Sequence, residues 1–405
     1  VIDLTVNYDR LRKERVDKAR EVVRELDVEA LVATTIENVR YITDKRAFFV
    51  LGWMPNSIAV LPRDGDPKFI HADDFVAPGP LWERNGQAIR DRYWIDHYTV
   101  WPAAIAKDIW ATWLKKCLEE IGVKKGRVGL DQAPWQWHQE FKRKLPDVEF
   151  VDAEEAMLYK RAVKTQDEIE LLKKAGWVAS KGVEAGLNAI KPGVREYEVY
   201  AAFMGELYRH GSEGDGFWPF LTSGPCVEGA LYPTNRKLEE GDPVILDMGP
   251  VIEGYNGDCM RCGYVGKPTE EFKDLYKATY DVMYAVVNAA KPGAKASDCY
   301  EAAAKIVKER GYEEPRFDFG HGVGLSCCEL PSIVKRSGYD YVGGPGKRNI
   351  ELKPGMCFSS EPRLYRYVKG KGKTFLQCAM EEVILVTDTG REVLTSAPFI
   401  DELLS

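Results

Sequence analysis

PVILDMGPVIEGYNGDCMRCGYV, residues 243–265, is an apolar run ending in an acid, a glycine-punctuated turn, and a second acid that opens the return run. Asp247 directly follows Val244, Ile245 and Leu246, and Asp258 precedes Cys259 and Met260. Glycines 249, 254 and 257 permit a turn between them, so the stretch reads as a hairpin that brings both carboxylates to one face of a sheet. Aspartates also bracket ordinary turns. An unpaired carboxylate behind three aliphatic residues is costly to bury, however, and that cost calls for a partner elsewhere in the chain.

Two further acids stand in comparable runs. Glu361 follows GMCFSS and precedes Pro362, and Glu381 lies in LQCAMEEVILV. Alternation places Glu381, Val383 and Leu385 on one strand face and Glu382 with Ile384 on the other. In so apolar a run an acid on either face is expected to be buried. GHGVGLSCCELP, residues 320–331, adds His321, the last of five histidines, in a glycine frame. Four strand-borne carboxylates and one imidazole form a set that repulsion forbids unless cations join it. Oxygen-rich ligation with one nitrogen suits two divalent ions, Mn²⁺, Fe²⁺, Co²⁺ or Zn²⁺, that share bridging carboxylates.

The bulk properties agree with an enzyme of this kind. A chain of 405 residues is long enough for two domains. With 45% hydrophobic and 29% charged residues it is globular rather than disordered. A net charge of −7 gives no basic footprint for nucleic acid, and no apolar run is long enough to span a bilayer. The start, VIDLTVNYDRLRKERVDKAR, is charged and carries no apolar signal core. Nine cysteines, an odd number at irregular spacing, fit reduced thiols better than a disulfide framework. A cytoplasmic protein is therefore expected. The CMRC stretch from Cys259 to Cys262 lacks the second pair a zinc site needs, and reads as buried small apolar residues.

Residues 1–155 alternate helical and strand-like segments and are expected to form an α/β domain. RLRKERVDKAREVVREL is an amphipathic helix, while SIAVLP, PKFIHA and RVGLD read as strands. Residues 156–405 carry a faint internal repeat. Ala189-Ile190-Lys191-Pro192-Gly193 and Ala290-Lys291-Pro292-Gly293 each end one helix and precede another, VYAAFMGELYRHG or DCYEAAAKIVKERGY. Strand-like segments follow each pair. A duplicated α+β domain with pseudo-twofold symmetry results, with its site between the halves. Lys353-Pro354-Gly355 introduces a strand and is not counted as a repeat marker.

Asp247, Asp258, His321 in GHGVGL, Glu361 in SEP and Glu381 in MEEVILVTDTG resemble the five-ligand signature of the pita-bread metallopeptidases, which include aminopeptidase P, prolidase and methionine aminopeptidase. NRKLEEGDPVILDMG, GYNGD and LKPGM resemble that family as well, and the two-domain layout is similar to prolidase and creatinase. The resemblance implies that Asp247 chelates one metal, that Asp258 and Glu381 bridge the pair, and that His321 and Glu361 complete the other. It further implies a bridging water as nucleophile, Glu361 as proton shuttle, and a homodimer.

Three departures set the chain apart from the peptidases it resembles. Cys328 stands where they carry a second histidine, EGALYPTNRK has no histidine before the first aspartate strand, and Ala379 replaces an arginine two positions ahead of the last ligand. The histidines steady the scissile carbonyl, a role worth about 3–4 kcal/mol by analogy with oxyanion-hole deletions. Their loss beside an intact ligand set predicts a two-metal hydrolase acting on a C–N bond in a small, non-standard substrate. Trp218, Phe220, Tyr232, Cys328 and, from the first domain, Trp53 are the expected pocket residues. An aromatic, arginine-poor pocket suggests a small cation as substrate. Alternatives are an ordinary Xaa-Pro dipeptidase, a binding module of the same fold, and a metal-dependent C–S or C–O lyase. For the last, Glu329, Pro331, Ser332 and Ile333 resemble the pita-bread dimethylsulfoniopropionate lyase, but Gly249 stands where that enzyme has an additional acid.

Overall fold

The computed structural model describes residues 5–45, 49–50, 54–55, 57–72, 92–95, 103–217, 220–224, 232–313, 318–335, 349–367 and 375–404. The chain divides into two compact units, which part between Arg161 and Ala162 at the end of the Glu154–Ala162 helix.

The first unit is an α/β layer structure. Its opening helix, Tyr8–Glu25, is capped by the Asn7 side chain, which accepts from the Arg10 amide at 3.0 Å, and it buries Leu11, Ala19, Val22 and Val23. The mixed six-stranded sheet runs in the order Arg92–Ile95, Lys68–Ala72, Ser57–Pro62, Ala30–Ala33, Gly126–Leu130, Val148–Asp152. Val32, Ile58, Val60 and Val128 of the sheet pack with Trp110, Trp137 and Phe141 from helices. One polar knot interrupts this core. Buried Asp131 accepts from the Thr34 amide (2.8 Å) and hydroxyl (3.0 Å), the Thr35 amide (3.1 Å) and hydroxyl (2.9 Å), and the Asn38 side chain (3.0 Å).

In the second unit the repeat is visible bond by bond. Helix Gln166–Ala189 leads to Glu196–Arg209, and helix Glu270–Ala289 leads to Ala296–Glu309. Gly193 and Gly293, the ends of the two Lys-Pro-Gly turns, have φ of 82° and 81°, a region that a side chain would strain. Gly193 donates to the Leu238 carbonyl at 2.8 Å and Gly293 to that of Leu352 at 2.9 Å. Gly241 donates to Val265 and Gly355 to Val386, both at 2.9 Å. The counterpart of Lys353-Pro354-Gly355 is therefore Glu239-Glu240-Gly241, and the sheet segments are duplicated along with the helices. Strand Pro243–Met248 lies between Phe220–Ser223 and Cys259–Tyr264, whereas Glu382–Val386 lies between Cys357–Ser360 and Arg391–Val393. This is the duplicated α+β fold that the resemblance implies. Among the described residues no helix is long and apolar enough to cross a membrane.

Candidate metal centre

Counting from the equivalent glycines, Asp247 follows Gly241 and Glu361 follows Gly355 at the same separation, so these two acids occupy matching places in the halves. Asp247 lies opposite Phe220 on one side and Met260 on the other. The hairpin returns so tightly that a Cβ on Gly249 would come 1.6 Å from the Gly257 carbonyl oxygen. Only glycine fits, and the tight return is what brings Asp258 back beside Asp247. His321 is carried along the Cys357–Ser360 strand, with the Ser359 amide donating to the His321 carbonyl at 2.7 Å and that of Val323 to Cys357 at 3.1 Å. The Glu361 amide donates to Phe319 at 2.9 Å. Glu381 joins the halves: its amide donates to Met260 at 2.9 Å and its carbonyl accepts from Arg261 at 2.6 Å.

The side chains converge. His321 Nε2 lies 3.1 Å from Glu361 Oε1 and 3.8 Å from Asp258 Oδ2, while Nδ1 faces the Gly322 carbonyl at 3.2 Å. Donor atoms of Asp258, His321 and Glu381 all lie within 4.8 Å of one another. Asp258 Oδ1 and both carboxylate oxygens of Glu381 are buried without a hydrogen-bond partner. Buried carboxylate oxygens are ordinarily satisfied, so this donor set fits divalent cations. Electrostatics points the same way. Burial pushes Asp258 up to about 7 against the opposing pull of His321. Asp247 is raised well above the usual carboxylate range by burial and then by Asp258 and Glu361, and Glu381 by burial and then by Asp258, Glu361 and Asp247. Burial alone would lower His321, but Glu361 and Cys328 outweigh it and hold the imidazole well above its ordinary value. Carboxylates shifted upward in this way would take up protons unless cations took their place.

Glu382, the neighbour of Glu381, is committed elsewhere. It pairs with buried Arg261 at 2.5 Å and accepts from the Thr395 hydroxyl. Glu329 is likewise structural, paired at 2.7 Å with Lys164 where both side chains are 1% exposed. Asp318 was not anticipated. It is half-buried three residues before His321, and burial, followed by the charge of Glu361, pushes it up to about 7. Its position in DFGHG was the available signal.

The described cysteines fall into two groups. Cys117, Cys259, Cys262, Cys299, Cys357 and Cys378 are buried, as small apolar residues would be. Cys327 and Cys328 stand at the centre instead, with their sulfurs 3.7 Å apart and each within 4.8 Å of a His321 ring nitrogen. The Cys328 thiol is drawn down to about 5, first by hydrogen bonding with Cys327 and then by His321, against burial.

Of the expected pocket residues, Phe220 is buried beside Asp247 and Tyr232 is 59% exposed. Trp53 and Trp218 lie outside the described residues. His210, at the end of its helix, pairs with Glu206 at 2.8 Å and stands edge-on to Trp177. The arginine-poor pocket is corrected: the Arg363 guanidinium stacks 4.4 Å from the centre of the Phe220 ring and its charge reaches Asp247. Ala379, which stands where the resembled peptidases carry an arginine, lies directly across the ladder from Arg363.

Comparison with known proteins adds to this geometry. Residues 170–388 match the model of metallopeptidase family M24, and residues 15–163 match that of the creatinase/prolidase N-terminal domain. The chain is 33% identical over 261 residues to an Xaa-Pro dipeptidase of Pyrococcus furiosus, covering 64% of this chain and 70% of that protein. It is 27% identical over 395 residues to a creatinase of a Bacillus species, covering 94% and 90%. A solved prolidase from Thermococcus sibiricus superimposes with a TM-score of 0.78 at 23% identity, covering 96% of this chain and 98% of that one, a likeness of fold.

Proposed function

The chain belongs to metallopeptidase family M24 and is a metal-dependent hydrolase, and from that premise we propose that it uses two divalent ions to cleave a C–N bond in a small substrate other than an ordinary Xaa-Pro peptide. The observation that carries this reading is the set of buried, unpartnered oxygens on Asp258 and Glu381, gathered with His321. Asp247, Asp258, His321, Glu361 and Glu381 would hold the ions. When bound, such ions supply Lewis acidity and a nucleophilic water at neutral pH.

The remaining work falls to the side chains. Glu361 is 20% exposed and hydrogen-bonded to His321, so it can both reach substrate and stay oriented, which suits a carrier of the proton passed to the leaving nitrogen. By the resemblance, Cys328 takes the place of one imidazole of such peptidases and Tyr232 lies in the region of another, although Tyr232 is 59% exposed. A thiol is a weaker hydrogen-bond donor than an imidazolium, and this supports a substrate whose developing charge needs less help from the protein. The relatives named Xaa-Pro dipeptidase favour a second reading, turnover of simple Xaa-Pro dipeptides. The lyase reading is weakened at Gly249, where the backbone leaves no room for any side chain, let alone an additional acid.

The test is metal content by elemental mass spectrometry, wild type beside Asp258→Ala, followed by product analysis in ¹⁸O-labelled water. About two transition ions per chain, lost in the variant, and label in the product are expected. A metal-free wild type sinks the proposal; an unlabelled, unsaturated product turns it into a lyase; rapid turnover of Ala-Pro establishes the dipeptidase.

A further inference from the structure

Cys327 and Cys328 are partly exposed, unlike the six other described cysteines, and they stand in a loop that is fixed at its base. Gly322 and Glu329 exchange backbone hydrogen bonds, both at 2.9 Å. The Glu329 side chain is held in turn by Lys164 at 2.7 Å, an ion pair hidden from solvent. Asn256, two residues before Asp258, grips the loop from the metal-binding hairpin. Its side chain donates to the carbonyls of Gly324 at 3.2 Å and Leu325 at 2.9 Å. The Ser326 hydroxyl donates to the Cys328 carbonyl at 3.1 Å. None of these bonds uses a sulfur.

The sulfurs are therefore carried on a preorganised backbone, and their spacing is informative. They lie 3.7 Å apart. Two thiolates on one tetrahedral ion, each at about 2.3 Å from it, stand about 3.8 Å apart. Both sulfurs and a ring nitrogen of His321 fall within 4.8 Å of one another, so the third donor needs only a small approach to join the pair. The donors also differ in kind from the rest of the centre. Carboxylates suit hard cations, whereas thiolates select softer ones. Two of these three donors lie outside the set of Asp247, Asp258, His321, Glu361 and Glu381.

We propose that Cys327, Cys328 and His321 form a second kind of metal site, a thiolate site that takes one thiophilic divalent ion, Zn²⁺ or Cd²⁺, beside the carboxylate centre. Each sulfur ligates as the thiolate, its proton passing to solvent. Three protein donors leave a fourth tetrahedral position for water. His321 belongs to both donor sets, so its imidazole links a cluster of oxygens to a pair of sulfurs. The site goes beyond the hydrolase reading and does not depend on it, since neither sulfur is among the donors that reading uses.

The test is titration of reduced, metal-free protein with Cd²⁺, followed by the ultraviolet thiolate-to-metal charge-transfer band. It is run on wild type, the double variant Cys327→Ser with Cys328→Ser, His321→Gln and Glu381→Gln. Wild type is expected to saturate the band at about one ion per chain. The band should vanish in the double serine variant, and the affinity read from it should fall at least about tenfold in His321→Gln. Glu381→Gln, which removes only a carboxylate donor, should keep it. No band in wild type overturns the proposal and leaves the sulfurs an ordinary hydrogen-bonded pair. A band retained in the double serine variant overturns it too, because other cysteines would then hold the ion. Unchanged affinity in His321→Gln, or loss of the band in Glu381→Gln, removes the three-donor site as drawn. The ¹¹³Cd chemical shift of wild type decides the matter without any variant: a shift typical of two sulfurs supports the site, and one typical of oxygen alone overturns it. Failure of Mn²⁺ to bind the carboxylates would sink the hydrolase reading and leave the Cd²⁺ band in place, so the two claims fall separately.

Discussion

Asp131 in the first unit and Glu381 in the second are both buried carboxylates, and they live opposite lives. Asp131 is surrounded by donors from Thr34, Thr35 and Asn38, five hydrogen bonds in all. Glu381 has neither oxygen satisfied. Burial raises both groups above the usual carboxylate range, but around Asp131 the hydrogen bonds push back, whereas around Glu381 three further acids push the same way. Burial therefore says little about role. What separates a structural acid from a ligand is whether the protein supplies its partners. Glu382 sharpens the point from one residue away, since it is equally hidden but answered by Arg261 and Thr395.

That contrast is open to direct attack. The largest effect is expected for Glu382→Leu, which strands Arg261 without its charge partner and should destabilise the fold by about 3–5 kcal/mol in chemical unfolding. Asp131→Asn comes next. An amide offers one acceptor oxygen where five donors point, and a loss of about 2–3 kcal/mol is expected in the first unit's transition. Glu381→Gln should behave differently: metal-free protein is expected to keep its stability within about 0.5 kcal/mol or gain about 1 kcal/mol, while losing the capacity to bind metal. A destabilisation matching that of Asp131→Asn would erase the distinction.

The smallest effect is in pH dependence. In metal-free protein Asp258 is raised to about 7, and Asp247 and Glu381 are raised as well. The folded state thus holds protons more tightly than the unfolded chain, whose carboxylates titrate near about 4. Stability from these groups is present at low pH, falls as pH rises from about 4 through about 7, and does not return above that. Cations take the place of those protons, so the gain in Tm on adding Mn²⁺ is expected to be larger at about pH 7.5 than at about pH 5. A gain that shrinks with rising pH would remove the carboxylate cluster from the account.

Much of the second unit was legible from the chain alone. The two Lys-Pro-Gly turns announced the duplication because a left-handed glycine after proline has few other uses. The acid-terminated apolar strands drew attention to Asp247 and Asp258 because burial of a lone carboxylate is costly. The partner of Lys353-Pro354-Gly355 stayed hidden, since Glu239-Glu240-Gly241 keeps only the glycine that the geometry requires. Asp131 was also invisible, because nothing local distinguishes it from any acid after a strand; its donors come from residues about a hundred positions earlier.

The sequence by itself determined the duplicated α+β unit, the α/β unit before it and the short roster of acids and imidazole that calls for metal, because hydrophobic period, glycine placement and the cost of buried charge are all local. The tertiary structure decided between equals. Strand alternation sets Glu381 and Glu382 on opposite faces, but only the packed neighbours show that one face holds Arg261 and the other holds His321 with Asp258. The same holds for Arg363, an unremarked residue in the chain that becomes a stacked guanidinium beside the centre once Phe220 and Ala379 are brought against it. Partnership is a property of what the fold brings together.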